Sequence, residues 1–83
     1  PEFEDGDVVV VEPEGLAHDG SFVIAFHNEE YIFRQLRIQE GRYSLIALNA
    51  SYPAVDVPGM DVVKGVVIQK SKPGKRKLSK SYI

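Results

Sequence analysis

The chain alternates short apolar runs with turn residues. Val8 to Val11 is an unbroken apolar run within Asp7–Glu12. Valine is stiff at χ1 and suits a pleated surface, so this segment is predicted to be a strand. An uninterrupted run of this kind predicts a strand covered on both faces. Glu12-Pro13-Glu14-Gly15 ends it, because proline offers no N–H to a ladder and glycine admits a turn. His18-Asp19-Gly20 is a second turn, and Ser21 to His27 is the next strand. His27-Asn28-Glu29-Glu30 reads as a tight hairpin turn leading into a long strand, Tyr31 to Gln39. Along that strand Ile32, Arg34, Leu36 and Ile38 share one face, and Tyr31, Phe33, Gln35 and Arg37 the other.

Glu40-Gly41-Arg42 turns the chain into Tyr43–Leu48. Asn49-Ala50-Ser51-Tyr52-Pro53 is a loop, with Asn49 suited to an Asx-turn. Val55-Asp56-Val57 is a short extended piece ended by Pro58-Gly59. Val62 to Gln69 is a fifth main strand with Gly65 as a bulge or kink. Lys72-Pro73-Gly74-Lys75 is a turn, and Leu78 to Ile83 is a short last strand or a loose end. No stretch sustains a 3.6-residue period, so no helix of consequence is expected. Punctuated strands at regular spacing predict an all-β fold, a coiled sheet or partly open β-barrel.

Eighty-three residues hold one small domain with a modest core. Residues 1–69 form the expected core unit, and residues 70–83 a basic C-terminal tail or edge strand. All twelve carboxylates lie in residues 1–61, and residues 1–69 hold only four basic residues, a net of −8. Residues 70–83 carry +6. An acidic body is a poor surface for duplex DNA. The basic tail reads as a solvated segment. With no cysteine, disulfides, zinc-thiolate sites and thiol nucleophiles are excluded. No apolar run approaches a membrane span, and the start has no basic region of the kind that opens a signal peptide.

Candidate chemistry is thin. His18 and His27 lie nine apart in a strand-rich chain, which is no ligand spacing, so no metal is expected. Glu2, Glu4, Asp5 and Asp7 form an acidic cluster without the spacing of a calcium loop, and read as a solvated turn. No phosphate-cradling glycine loop is present, and no cofactor is implied. The aromatic residues alternate with aliphatic ones and read as core.

The order of segments is more specific. Pro1-Glu2-Phe3-Glu4-Asp5-Gly6-Asp7 followed by four valines resembles the second half of the signature Ser-Met-x-Pro-x-Phe-x-Asp-Gly-Asp of the LexA-like, self-cleaving repressor family. Asp19-Gly20-Ser21-Phe22-Val23-Ile24-Ala25 is similar to the family's next strand. Tyr31-Ile32-Phe33-Arg34-Gln35-Leu36 is similar to its apolar-Lys-Arg-Leu segment. Leu48-Asn49-Ala50-Ser51-Tyr52-Pro53 and Val63-Lys64-Gly65-Val66-Val67 resemble its later loop, seen especially in phage repressors, and its closing strand. The resemblance implies the coiled sheet shared with bacterial signal peptidases, a serine nucleophile and a lysine general base. It also implies homodimers or higher oligomers, and operator DNA held by a helix-turn-helix domain outside this chain. In many members a RecA filament triggers self-cleavage in the SOS response. A cytoplasmic location follows from the same kinship.

Two departures matter. The signature serine would fall three residues before Pro1, and Arg34 stands where the resemblance puts the lysine. A guanidinium, with a pKa above about 12, cannot act as a neutral base. The resemblance therefore points to the C-terminal oligomerisation domain of a phage or prophage transcriptional repressor, inactive as a peptidase in this chain. Leu78, Tyr82 and Ile83 are its expected interface arm. The alternatives are a fragment of an active serine–lysine autoprotease and a β-barrel whose basic tail binds nucleic acid.

Overall fold

A computed structural model describes residues 2–13, 15, 17–72 and 74–82, with the side chains of 75–78 outside that description. The strands are β1 (Val8–Glu12), β2 (Phe22–His27), β3 (Glu30–Gln39), β4 (Arg42–Ala47), β5 (Val55–Val57), β6 (Val63–Lys72) and β7 (Lys75–Ser81). One short 3-10 turn, Met60–Val62, precedes β6. All pairings are antiparallel in one sheet ordered β1-β6-β2-β3-β4-β5, with β7 also paired to β6. The all-β, coiled-sheet expectation holds, and the sheet is not closed into a barrel. The radius of gyration is 13.0 Å. A compact domain of this length would have roughly 12 Å, so the molecule is somewhat extended.

Tight turns set the registers. Asn28 and Glu29 both have positive φ, 51° and 64°, between His27 and Glu30. That is the conformation of a two-residue hairpin loop, whose twist matches the strands it joins. Glu40 and Gly41 repeat it between β3 and β4.

β6 is the strand the others share. Along one edge it pairs with β1. Along the other it pairs first with β2, through Val63 to Val66, and then with β7, through Gln69 to Lys72. Three register shifts let it do so. One falls opposite Ile24/Ala25 of β2, next to Gly65, one opposite Val10/Val11 of β1, and one between Lys70 and Lys72 facing β7. Bulges bend a strand and tighten its twist. Gly65 has a second reason to lack a side chain: a Cβ there would lie 2.7 Å from Val11 Cγ1.

The core occupies one face of the sheet. Val23 and Ala25 of β2, Leu36 of β3, Leu45 of β4, Val57 of β5, and Val63 and Val66 of β6 form it. The even-numbered side chains of β3 point there, as alternation requires. A second, aromatic cluster sits around Phe3. Its ring lies 4.9 Å from Phe22 and 5.1 Å from Phe33, edge to face, and 5.8 Å from Tyr82.

Two expectations are corrected. The valines of β1 are not covered on both faces: Val8 to Val11 are each 39–51% exposed. Among the described residues β1 borders the sheet and pairs with β6 alone. The run that is covered on both faces is that of β6, where Val63, Val66 and Val67 are buried. The acidic start and the basic tail are also not separately solvated. Glu2 accepts from Lys70, from Lys80 Nζ at 2.8 Å and from the Tyr82 hydroxyl. Lys72 Nζ bridges Glu4 and Asp7 at 2.8 and 2.7 Å. Gly6, with φ 89°, closes the Glu4–Asp7 turn that presents these carboxylates.

These contacts hold the Glu2 carboxyl down at about 2, first through Lys80 and then Tyr82, and hold Glu4 and Asp7 below their usual values through Lys72. Burial, then Glu2, pushes the Tyr82 hydroxyl up. A depressed carboxylate stabilises the fold above its unfolded pKa, and that contribution fades as pH falls through the folded value. The melting temperature is therefore expected to drop between pH 4.5 and 2. Glu2→Gln should flatten that drop and cost about 1 kcal/mol at pH 7; an unchanged acid profile in thermal melts would contradict the clasp. In the hairpin, Glu29→Gly should stabilise by roughly 0.5–1 kcal/mol in urea denaturation, by relieving the left-handed backbone.

Candidate functional site

β3 and β4 pair side by side and end at a loop. Arg34 lies opposite Ala47, on the same side of the sheet as Leu36 and Leu45. Its position on the core side follows from the strict alternation of β3, so a cation is carried where its neighbours two residues away are apolar. The side chain is half-buried, as a long stem packed on apolar surface with a polar head would be. Its guanidinium carbon stands 6.0 Å from the centre of the Tyr52 ring, a cation–π arrangement.

Tyr52 is put there by the Asx-turn that the sequence predicts. Asn49 Oδ1 accepts the Ser51 N–H at 2.9 Å, and the Asn49 carbonyl accepts the Tyr52 N–H at 3.1 Å. The result is a shallow groove of about 290 Å³ lined by Ile32, Phe33, Arg34, Ala47, Leu48, Asn49 and Tyr52. No acidic residue lines it. The ion pairs among the described residues are all made by lysines with Glu2, Glu4 and Asp7, so Arg34 has no carboxylate partner there.

The N-terminal segment reaches the same strand from the other side. Phe3 packs on Phe33, the chain neighbour of Arg34, but Phe33 and Arg34 project to opposite faces. Of the expected interface arm, the Leu78 side chain and Ile83 lie outside the described residues. Tyr82 is half-buried against Phe3 and Phe22 of its own chain.

Other candidates do not assemble into a catalytic group. Ser21 Oγ lies 3.1 Å from His18 Nδ1 and accepts the His18 backbone N–H at 2.9 Å. Ser21 is only 6% exposed, and the pair closes the turn into β2. No group of three or more metal-ligating side chains occurs among the described residues. Lys64 is exposed and donates to the Asp61 carbonyl. No helix among the described residues is long and apolar enough to cross a membrane.

Sequence reasoning did not find Tyr52 as the lid over Arg34, nor the bare edge of β1. The Asx-turn at Asn49 signals the first, since it brings residue 52 back over the strand ends. Nothing local signals the second.

The sequence profile of the Peptidase S24-like family matches residues 1–68. The HTH-type transcriptional regulator for conjugative element R391 of Providencia rettgeri is 39% identical over 67 residues, covering 78% of this chain and 31% of the relative. The regulators for conjugative elements SXT of Vibrio cholerae and pMERPH of Shewanella putrefaciens match to the same extent. The chain thus spans about a third of the length of these relatives. Their names refer to conjugative elements, where the motifs alone suggested a phage. The repressor kinship read from the five motifs and the profile match converge: the chain belongs to the Peptidase S24-like family.

Proposed function

We propose that this chain is the pairing module of a transcriptional repressor and has no peptidase chemistry of its own. Operator DNA is contacted by a helix-turn-helix domain outside this sequence, and the work is done in the cytoplasm. The observation that carries the proposal is the open edge of β1. Four consecutive valines are each 39–51% exposed on a strand with a single neighbour. Edge strands are ordinarily blunted by lysine, proline or charge. Within β1 no charge interrupts Val8 to Val11. A second copy of the same strand, antiparallel, would give the outward amides partners and cover one valine row with another.

Pairing has a clear use in such a protein. Two tethered readers grip two half-sites together, and the second contact becomes intramolecular, raising apparent affinity by roughly 10²–10⁴. The 39% identity to regulators of conjugative elements supports the repressor reading.

Arg34 supports the second part of the proposal. A lysine can be desolvated until it is neutral near pH 7 and then accept a proton from serine. Arginine stays charged. The Tyr52 ring, 6.0 Å away, makes a cation–π contact with that charge.

Sedimentation of this chain should show a monomer–dimer equilibrium, and Val9→Lys should weaken it at least tenfold by placing a cation on the edge. A strict monomer at high concentration would contradict pairing. An unchanged dimer in Val9→Lys would move the interface elsewhere, with the Leu78–Tyr82–Ile83 arm next in line. The parent protein, incubated at alkaline pH, should yield no self-cleavage product. Product formed with Arg34 intact, with or without a RecA filament, would overturn the inactivity and favour the autoprotease reading.

A further inference from the structure

The groove beside Arg34 of β3 and the C-terminal end of β4 carries a guanidinium and no carboxylate among the described residues. Arg34 brings a guanidinium that no carboxylate meets among the described residues. Asn49 has its Oδ1 committed to the Ser51 N–H, which leaves its Nδ2 to donate. A pocket of cationic and neutral N–H groups selects an anion. The planar fork of arginine matches a carboxylate with two parallel bonds.

The walls beside these donors are apolar. Ile32 and Leu48 flank Arg34, and the Tyr52 ring stands above it. Leu48 is 44% and Tyr52 61% exposed, so both faces are open to a ligand. The volume of about 290 Å³ is at the floor of the ~300–1,000 Å³ range of small-molecule pockets. That is room for about one amino-acid residue.

One ligand chemistry combines these features. The last residue of a peptide carries its carboxylate and its side chain on the same Cα. An internal aspartate or glutamate brings a carboxylate but no apolar group beside it, and its chain must leave the groove in both directions. We propose that this groove binds the C-terminal residue of an extended peptide, with the free carboxylate on Arg34 and Asn49 and an apolar side chain against Ile32, Leu48 and Tyr52. The site depends on the permanent charge of Arg34 and does not depend on pairing through β1.

The test is a titration of the 83-residue chain, followed through the Arg34 Nε–H and Tyr52 ring signals in NMR. The probes are acetyl-Ala-Ala-Leu as the free acid, the same peptide as its C-terminal amide, and acetyl-Ala-Glu-Ala amide. The free acid should bind at least tenfold more tightly than either amide, as expected for a charge-assisted contact. Arg34→Gln should abolish that preference, while Arg34→Lys should keep part of it. Asn49→Ala should weaken the free acid severalfold. Equal binding of acid and amide, equal binding of the internal glutamate, or no binding of the free acid would overturn the proposal. The peptide comparison uses the unaltered chain, so it stands even if the Arg34 variants fold poorly. A monomer that still prefers the free acid would sink pairing and keep this site.

Discussion

β6 has to serve three neighbours with two edges. It does so by giving one edge to β1 and dividing the other between β2 and β7. Three register shifts and a glycine at residue 65 make this possible. The rest of the layout follows. β7 is brought up behind β2, so Tyr82 meets Phe22 and Phe3. The lysines at 70, 72 and 80 are lined up where Glu2, Glu4 and Asp7 can meet them. β1 is left with one strand neighbour and an outer edge that no strand among the described residues pairs with.

Charge is arranged by the same constraint. The net of −8 in the body and +6 in the tail looks like an invitation to a polyanion. Much of it is satisfied internally, because the acidic start folds back on the strands that carry the basic residues. Arg34 is treated differently. It sits on the core side of β3, half-buried beside the Tyr52 ring, with no carboxylate partner among the described residues. Under the two proposals it accepts no proton and holds an anion instead.

Much of this was legible in the residues. Alternation along Tyr31–Gln39 put Arg34 on one face with Ile32, Leu36 and Ile38, which the structure makes the core face, and turn chemistry located both tight hairpins and the Asx-turn at Asn49. The glycine at 65 correctly marked an irregular strand. What failed was any inference that needed to know a strand's neighbours. Val8–Val11 and the valines of β6 have the same local preference, and only the pairing order decides which run is buried. The end of β6 was missed for a related reason. Lys70 and Lys72 looked like a solvated tail, yet their carboxylate partners sit 68 residues earlier. Complementary charge so far apart in sequence has no local signature.

Assembly through β1 is the central claim, and amide hydrogen exchange reads it most directly. Alternate amides of Val8 to Val11 face β6, and the others face outward. As concentration rises, the outward amides should slow at least tenfold, in step with dimer formation, while the inward ones stay protected throughout. Outward amides that exchange freely while the chain is dimeric would place the interface elsewhere and contradict the account.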